Sequence, residues 1–309
     1  MTDFKIISGL LLFLSLCVLA GCSPQGSSTK NSQDAEKTPD VQESSQGAYS
    51  VTVSIPPQKY FLERIGGKRV MVNVMVPPGG NPHSYEPTPQ QMKELSQSKA
   101  YFSIGVDFEK AWLERFQSAN PDLRMVNTVE NIEPMRMPAS LQNDNESEID
   151  THIWTSPEMV KQISQSIYKS LAEIDPQNET VYRQNLEDFI FEIDGLQENI
   201  RQTLPTTGKH SFLVFHPAWG YFAKEFGLEQ IPVEVGGQEP SPQELASVMQ
   251  RAEAEHIQVI FVQPSINPLT AQTIAQEIGA KVLVIDPLAE DWLDNLQRVA
   301  QTFADVMAE

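Results

Sequence analysis

Hydrophobic positions fall into three textures along the chain. Behind Lys5, Ile6–Ala20 is apolar apart from small residues, a run too short to cross a bilayer comfortably as a helix. Ser23–Gly47 is Ser, Gln, Asn, Lys, Asp, Glu and Pro with almost nothing to bury, so it cannot offset its ordering entropy and predicts a flexible tether over 22–48. From Tyr49 onward, β-branched runs alternate with amphipathic ones. Val70–Val76, Ser211–Phe215, Ile257–Val262 and Lys281–Ile285 predict strands. Thr88-Pro89-Gln90-Gln91 and Ser241-Pro242-Gln243-Glu244 place a hydroxyl at the N-cap, proline at the first helical position and Gln or Glu two residues later, and so predict helix starts. Ser156-Pro157 and Asp175-Pro176 do the same in part, and Gly227 and Gly279 stand where a left-handed cap ends a helix. Strands alternating with helices predict an α/β fold with mainly parallel sheets.

One segment is longer than the rest. Tyr182, Leu186, Phe189, Ile193, Leu196, Ile200 and Leu204 recur at steps of three and four, one face of a helix spanning Asn178–Leu204. Gly195 within it costs about 1 kcal/mol relative to Ala. Periodicity leaves open whether this helix joins two lobes or belongs to one. No internal repeat is visible along the chain.

The apolar run ends in Leu19-Ala20-Gly21-Cys22, small side chains before a cysteine, which reads as an export signal over 1–21. It resembles a bacterial lipoprotein signal, which implies lipidation of Cys22 and a surface anchor once acyl chains are attached. Cys17 would leave with the signal, so the mature chain keeps no disulfide and no thiol for a metal. The formal charge of -19, from 41 acids against 22 Lys plus Arg, disfavours nucleic acid as a partner. Within it, Asp144, Glu146, Glu148 and Asp150 read as a solvated acidic loop.

The chain has five histidines. His210 lies in a polar turn and His256 at a helix end, and both read as structural or surface residues. His216 directly follows the strand Ser211–Phe215, and Asp286 directly follows Lys281–Ile285. Ligands of open α/β sheets bind outside the carboxyl ends of strands. His83 lies in the loop Val76-Pro77-Pro78-Gly79-Gly80-Asn81-Pro82-His83, and His152 just precedes the helix start at Ser156. Three imidazoles and one carboxylate suit a tetrahedral zinc ion, whereas manganese favours more oxygen. Each histidine alone reads more readily as a satisfied polar residue than as a ligand, and no local spacing motif joins them.

Ser54-Ile55-Pro56-Pro57, VPPGGNPHSYEPTPQ at Val76–Gln90, THIWTSP at Thr151–Pro157, HPAWGYF at His216–Phe222, EPSPQEL at Glu239–Leu245 and IAQEIGAKVLVIDPL at Ile274–Leu288 occur in order. Together they resemble the zinc and manganese solute-binding proteins of ABC importers, the ZnuA/TroA-like family. The resemblance implies two α/β lobes, at 49–177 and 206–309, joined by one long rigid helix at 178–205. It implies metal held between them by His83, His152, His216 and Asp286, and delivery of the ion to an ABC permease by a non-catalytic, monomeric, membrane-tethered protein. Thr151 replaces the proline common before the second histidine. The short acidic loop Leu141–Asp150 replaces a His-rich loop often present in zinc-type members, which keeps manganese or iron as alternatives to zinc. Two other functions remain on this reading: a secreted metallohydrolase using the same ligands with Glu86 as base, and a surface adhesin with an incidental metal.

Overall fold

The computed structural model describes residues 47–137, 149–205, 210–234, 238–265 and 268–308. The expected export signal, Cys22, nearly all of the tether and the acidic residues Asp144, Glu146 and Glu148 lie outside the described residues.

The described strands form two four-stranded sheets, and every strand pairing in them is parallel. In the first, β1 (Tyr49–Val53) lies between β2 (Val70–Val74) and β3 (Ala100–Ser103), and β4 (Arg124–Asn127) completes the order β2-β1-β3-β4. In the second, β5 (Ser211–Val214) lies between β6 (Glu229–Pro232) and β7 (Val259–Val262), and β8 (Lys281–Val284) completes the order β6-β5-β7-β8. The two windings are the same. Each first strand pairs with its successor on one side, and the chain then crosses to its other side. That reversal creates a crevice at the carboxyl ends of the central strands. The repeat is one of topology, with no counterpart visible in the residues.

Helices make the crossovers that parallel pairing requires. In the first lobe they are α1 (Pro56–Gly66), α2 (Pro89–Leu95) and α3 (Asp107–Ala119). In the second they are α6 (Gly220–Phe226), α7 (Pro242–Ala254) and α8 (Pro268–Ile278). The expected caps form. The Thr88 hydroxyl accepts from Gln91 N–H at 3.3 Å while the Gln91 side chain accepts from Thr88 N–H at 3.0 Å. Ser241 and Glu244 exchange the same pair of bonds at the start of α7. Gly227 and Gly279 take φ of 71° and 68°, the left-handed conformation that glycine adopts without a Cβ clash.

Between the sheets run α4 (Pro157–Ile174) and the long α5 (Glu179–Thr203). Asp175-Pro176 opens a short 3₁₀ turn, Pro176–Asn178, so α5 itself begins at Glu179. Tyr182, Phe189, Ile193, Leu196 and Ile200 are buried along it, as their spacing predicts. They pack against α4, α1 and the C-terminal helix α9 (Trp292–Met307). One apolar core therefore runs from Val51 and Phe102 of the first sheet, through α5, to Phe212, Phe261 and Phe303 of the second lobe. The opposite face of the second sheet carries its own smaller core, in which Leu213, Ile231, Ile260 and Val262 meet Val248 and Ile274. Alternate strand residues thus serve different cores, as the period of two requires.

Polar ties reinforce this continuity. Trp154 Nε1–H donates to the Pro287 carbonyl at 2.6 Å, and Trp292 Nε1–H donates back to the Trp154 carbonyl at 2.7 Å. The Glu225 carboxylate on α6 accepts from the Ser156 hydroxyl, from Glu158 N–H at 3.1 Å and from Gln197 Nε2 at 2.6 Å. It thereby closes the N-terminus of α4 from the other lobe. The lobes are joined as one packed body. No described helix is long and apolar enough to cross a membrane.

Trp292 is fully buried and meets Phe61 edge-on at 5.1 Å and Phe189 at 6.4 Å. Trp292→Ala is expected to cost about 3–5 kcal/mol of unfolding free energy, the range for removing a buried indole. Urea denaturation checks this, and a loss below about 1 kcal/mol would contradict a shared core.

Candidate metal centre

Three strand-to-helix connections aim imidazoles at one point. His83 lies within the loop between β2 and α2. A turn from Gly80 N–H to the Pro77 carbonyl at 2.9 Å folds that loop, and His83 N–H donates to Asn81 Oδ1 at 2.9 Å. Phe108 N–H, at the start of α3, donates to the Pro82 carbonyl at 3.2 Å and sets the loop beside Asp107. His152 precedes the 3₁₀ turn Ile153–Thr155, and its carbonyl accepts from both Thr155 N–H (3.1 Å) and the Thr155 hydroxyl (2.8 Å). His216 leaves the end of β5 at the crevice of the second sheet.

Nε2 of His216 lies 3.2 Å from Nε2 of His83 and 3.2 Å from Nε2 of His152. Among the described residues these three form the group whose ligand atoms all fall within 4.8 Å of one another. His152 and His216 are buried, and His83 is half-buried at the rim.

Each imidazole is held from behind by a carboxylate. Asp107 Oδ2 lies 2.7 Å from Nδ1 of His83, Asp150 Oδ1 2.9 Å from Nδ1 of His152, and Glu234 Oε2 2.7 Å from Nδ1 of His216. A carboxylate only accepts, so each Nδ1 carries the hydrogen and each neutral ring turns its Nε2 lone pair to the common point. Lone pairs brought so close repel unless a proton or a metal cation lies between them. Two nitrogens bound about 2.0–2.1 Å from a tetrahedral ion sit roughly 3.3 Å apart, close to the observed spacing. The chemistry of this donor set fits a divalent transition metal, and three backing carboxylates make the surroundings electronegative.

The protonation pattern agrees. Burial lowers the pKa of His152 below the usual histidine value, and positive charge on His216 or His83 would lower it further, against the opposing pull of Asp150. The hydrogen bond from His83, aided by the Lys110 ammonium, holds the Asp107 carboxyl far below the ordinary range, so it remains an anion behind the ring.

Asp286 stands apart. It follows β8 as expected, but its carboxylate lies outside the group that shares 4.8 Å. The chain turns back at this point: Asp286 Oδ1 accepts Leu288 N–H at 2.8 Å, and its carbonyl accepts from Asn295 Nδ2 at 2.7 Å. Those bonds commit the residue to the turn into α9. Glu86 is exposed. His210 and His256 are also absent from the group, and His256 takes a positive φ of 53° at the turn into β7.

The backing carboxylates were not legible as site residues. Asp150, expected to be solvated, is 2% exposed and bonds both N–H and Nδ1 of His152. Its place two residues before a candidate ligand was the available signal. Glu234 reaches His216 because parallel pairing of β5 and β6 continues past both strands, with Glu234 N–H donating to the Phe215 carbonyl at 2.9 Å.

Comparison with known proteins decides the family. The model of the zinc-uptake complex component A family, described as periplasmic, matches residues 51–306. The chain belongs to that family. A zinc-bound deletion mutant of ZnuA superposes with a TM-score of 0.79 at 44% identity, covering 84% of this chain and 98% of that one. The high-affinity zinc uptake system protein ZnuA of Bacillus subtilis is 27% identical over 299 residues, 92% of this chain and 89% of the relative. The manganese-binding lipoprotein MntA of Halalkalibacterium halodurans is 22% identical over 99% of both chains. The family is one of solute-binding proteins of metal uptake.

Protons compete with a metal for the same Nε2 lone pairs, so acidification weakens binding. The lowered pKa of His152 keeps that ligand neutral to below the usual value near 6.5. Zinc titrations at pH 7.5 and 5.0 are expected to differ in affinity by at least about tenfold, weaker at pH 5.0. Equal affinities would contradict a shell of histidine nitrogens.

Proposed function

We propose that this protein captures zinc outside the cytoplasm with His83, His152 and His216 and delivers it to an ABC permease, held at the membrane surface through lipidated Cys22. The observation that carries the reading is the convergence of three carboxylate-backed Nε2 atoms, drawn from connections in both lobes. Neutral imidazoles are borderline ligands that suit zinc, whereas manganese prefers a larger share of oxygen. The zinc-bound relative supports the same ion, and the manganese-binding relative makes manganese the alternative to test.

The mechanism is capture and release, without turnover. Asp286 is a minor contributor on this proposal, because its carboxylate lies outside the group of converging ligand atoms. Catalysis of hydrolysis would call for a general base aimed at the metal, and the candidate Glu86 is exposed in the loop before α2. The continuous core around α5 opposes wide lobe opening. Release then falls to the loop that carries His83, the ligand at the rim, when the permease engages it. The monomeric state and the lipid anchor belong to the same proposal; the anchor is supported by the Leu19-Ala20-Gly21-Cys22 junction.

Calorimetry on the metal-free protein tests the ligand set. His216→Ala is expected to abolish high-affinity zinc binding with an unchanged circular dichroism spectrum, whereas Asp286→Ala should weaken binding far less. Unchanged zinc affinity in His216→Ala would sink the assignment. Competition between zinc and manganese should leave zinc bound, and elemental analysis showing manganese retained would replace the cargo.

A further inference from the structure

The segment that supplies His216 does more than supply a ligand. Three residues on, its chain enters α6 at Trp219-Gly220-Tyr221, and this entry wraps the carboxylate of Asp150, which comes from the other side of the site. A Cβ placed on Gly220 would stand 2.6 Å from Asp150 Oδ2, 2.9 Å from Met135 Cε and 3.6 Å from Gln230 Nε2. The bare Cα is therefore the floor of the space that Asp150 fills.

The rest of the cradle is polar and buried. The Tyr221 hydroxyl accepts Met135 N–H at 2.8 Å, and the Met135 carbonyl accepts Asp150 N–H at 2.9 Å, so the neighbouring side chain sets the backbone of the same residue. The Gln230 side-chain Oε1 accepts Trp219 N–H at 2.7 Å, which points the rest of its amide toward the same space; Nε2 has no hydrogen-bond partner among the described residues. Asp150 Oδ1 in turn holds both N–H and Nδ1 of His152 at 2.9 Å.

We infer that Gly220 is a positioning residue for metal capture, acting through the Asp150 carboxylate on His152. This rests on the three-histidine reading above. A methyl group at 220 can push Met135 aside, because its Cε is the free end of a flexible chain. Asp150 has no such freedom. It is short, buried and tied through Oδ1, so moving Oδ2 out of contact tilts the whole carboxylate and with it the His152 ring. Metal ligands tolerate about ±0.2 Å in distance, less than the shift a 2.6 Å contact demands. The two buried ligands are thereby set by one stretch of chain: His216 directly, and His152 through Gly220 and Asp150.

A double-mutant cycle read by zinc affinity tests this, using wild type, Gly220→Ala, Asp150→Ala and the double variant, with the melting temperature of each metal-free protein alongside. Gly220→Ala is expected to weaken zinc binding about tenfold or more, as loss of a group supporting a metal ligand does. In the Asp150→Ala background the same change should cost less than about twofold, because the group it displaces is gone. A glycine needed only for packing would lower the melting temperature and leave the affinity unchanged, which would overturn the inference. Equal losses in both backgrounds would overturn it too. Should Gly220→Ala not yield folded protein, Tyr221→Phe takes its place in the cycle and is expected to weaken binding in the wild-type background alone. His152→Ala in the same series separates the two claims. If it binds zinc like the wild type, the three-histidine reading fails; if it does not bind while Gly220→Ala binds normally, only the present inference fails.

Discussion

Three imidazole lone pairs facing one point, with Nε2 of His216 3.2 Å from each of the other two, are unfavourable unless something positive lies between them, and the surrounding structure keeps them there. Each ring is prevented from turning away by a carboxylate at its Nδ1, which also fixes the tautomer that exposes Nε2. On the proposed reading a metal ion relieves the repulsion, and the arrangement stores affinity as preorganisation. The remaining architecture can be understood as what holds three loops from two sheets to that spacing.

The same winding used twice explains how. In each lobe the strand order reverses beside the first strand, and the connections at the carboxyl ends of the strands open onto a crevice. Placing the two crevices face to face brings ligands together from distant parts of the chain. A shared core along α5, the bonds from Trp154 to Pro287 and from Trp292 to Trp154, and Glu225 across the start of α4 hold the crevices in that relation. On the proposed reading, a carrier built this way gains affinity from rigidity, with His83 at the rim on a Pro- and Gly-rich loop. Family membership and this geometry agree on capture for uptake.

Much of this was readable from residues alone, for definite reasons. Capping boxes at Thr88 and Ser241 and the seven-residue apolar stripe from Tyr182 to Leu204 are local signals, and local signals survive without a structure. His216 stood out because it ends an apolar run. β1, β3, β4 and β6 did not; β4 and β6, Arg124-Met125-Val126-Asn127 and Glu229-Gln230-Ile231-Pro232, are short, mixed in polarity and defined by their partners. Asp107 and Glu234 lie 24 and 18 residues from the histidines they hold, a pairing created by loop packing in one case and strand register in the other. Asp150 was mistaken for a solvated acid because composition describes the loop and not the space over Gly220. For Asp286, strand-end placement located the residue after β8, but the turn that occupies its Oδ1 depends on Leu288 and was not visible in the sequence.

The central claim is that three histidine nitrogens, contributed by both lobes, hold the ion. Zinc K-edge X-ray absorption on the one-to-one complex addresses it without relying on mutants. The account predicts three imidazole nitrogens at about 2.0–2.1 Å from zinc, with the multiple-scattering signature of the rings. A spectrum with fewer than two imidazoles, or a first shell of oxygen alone, would contradict it.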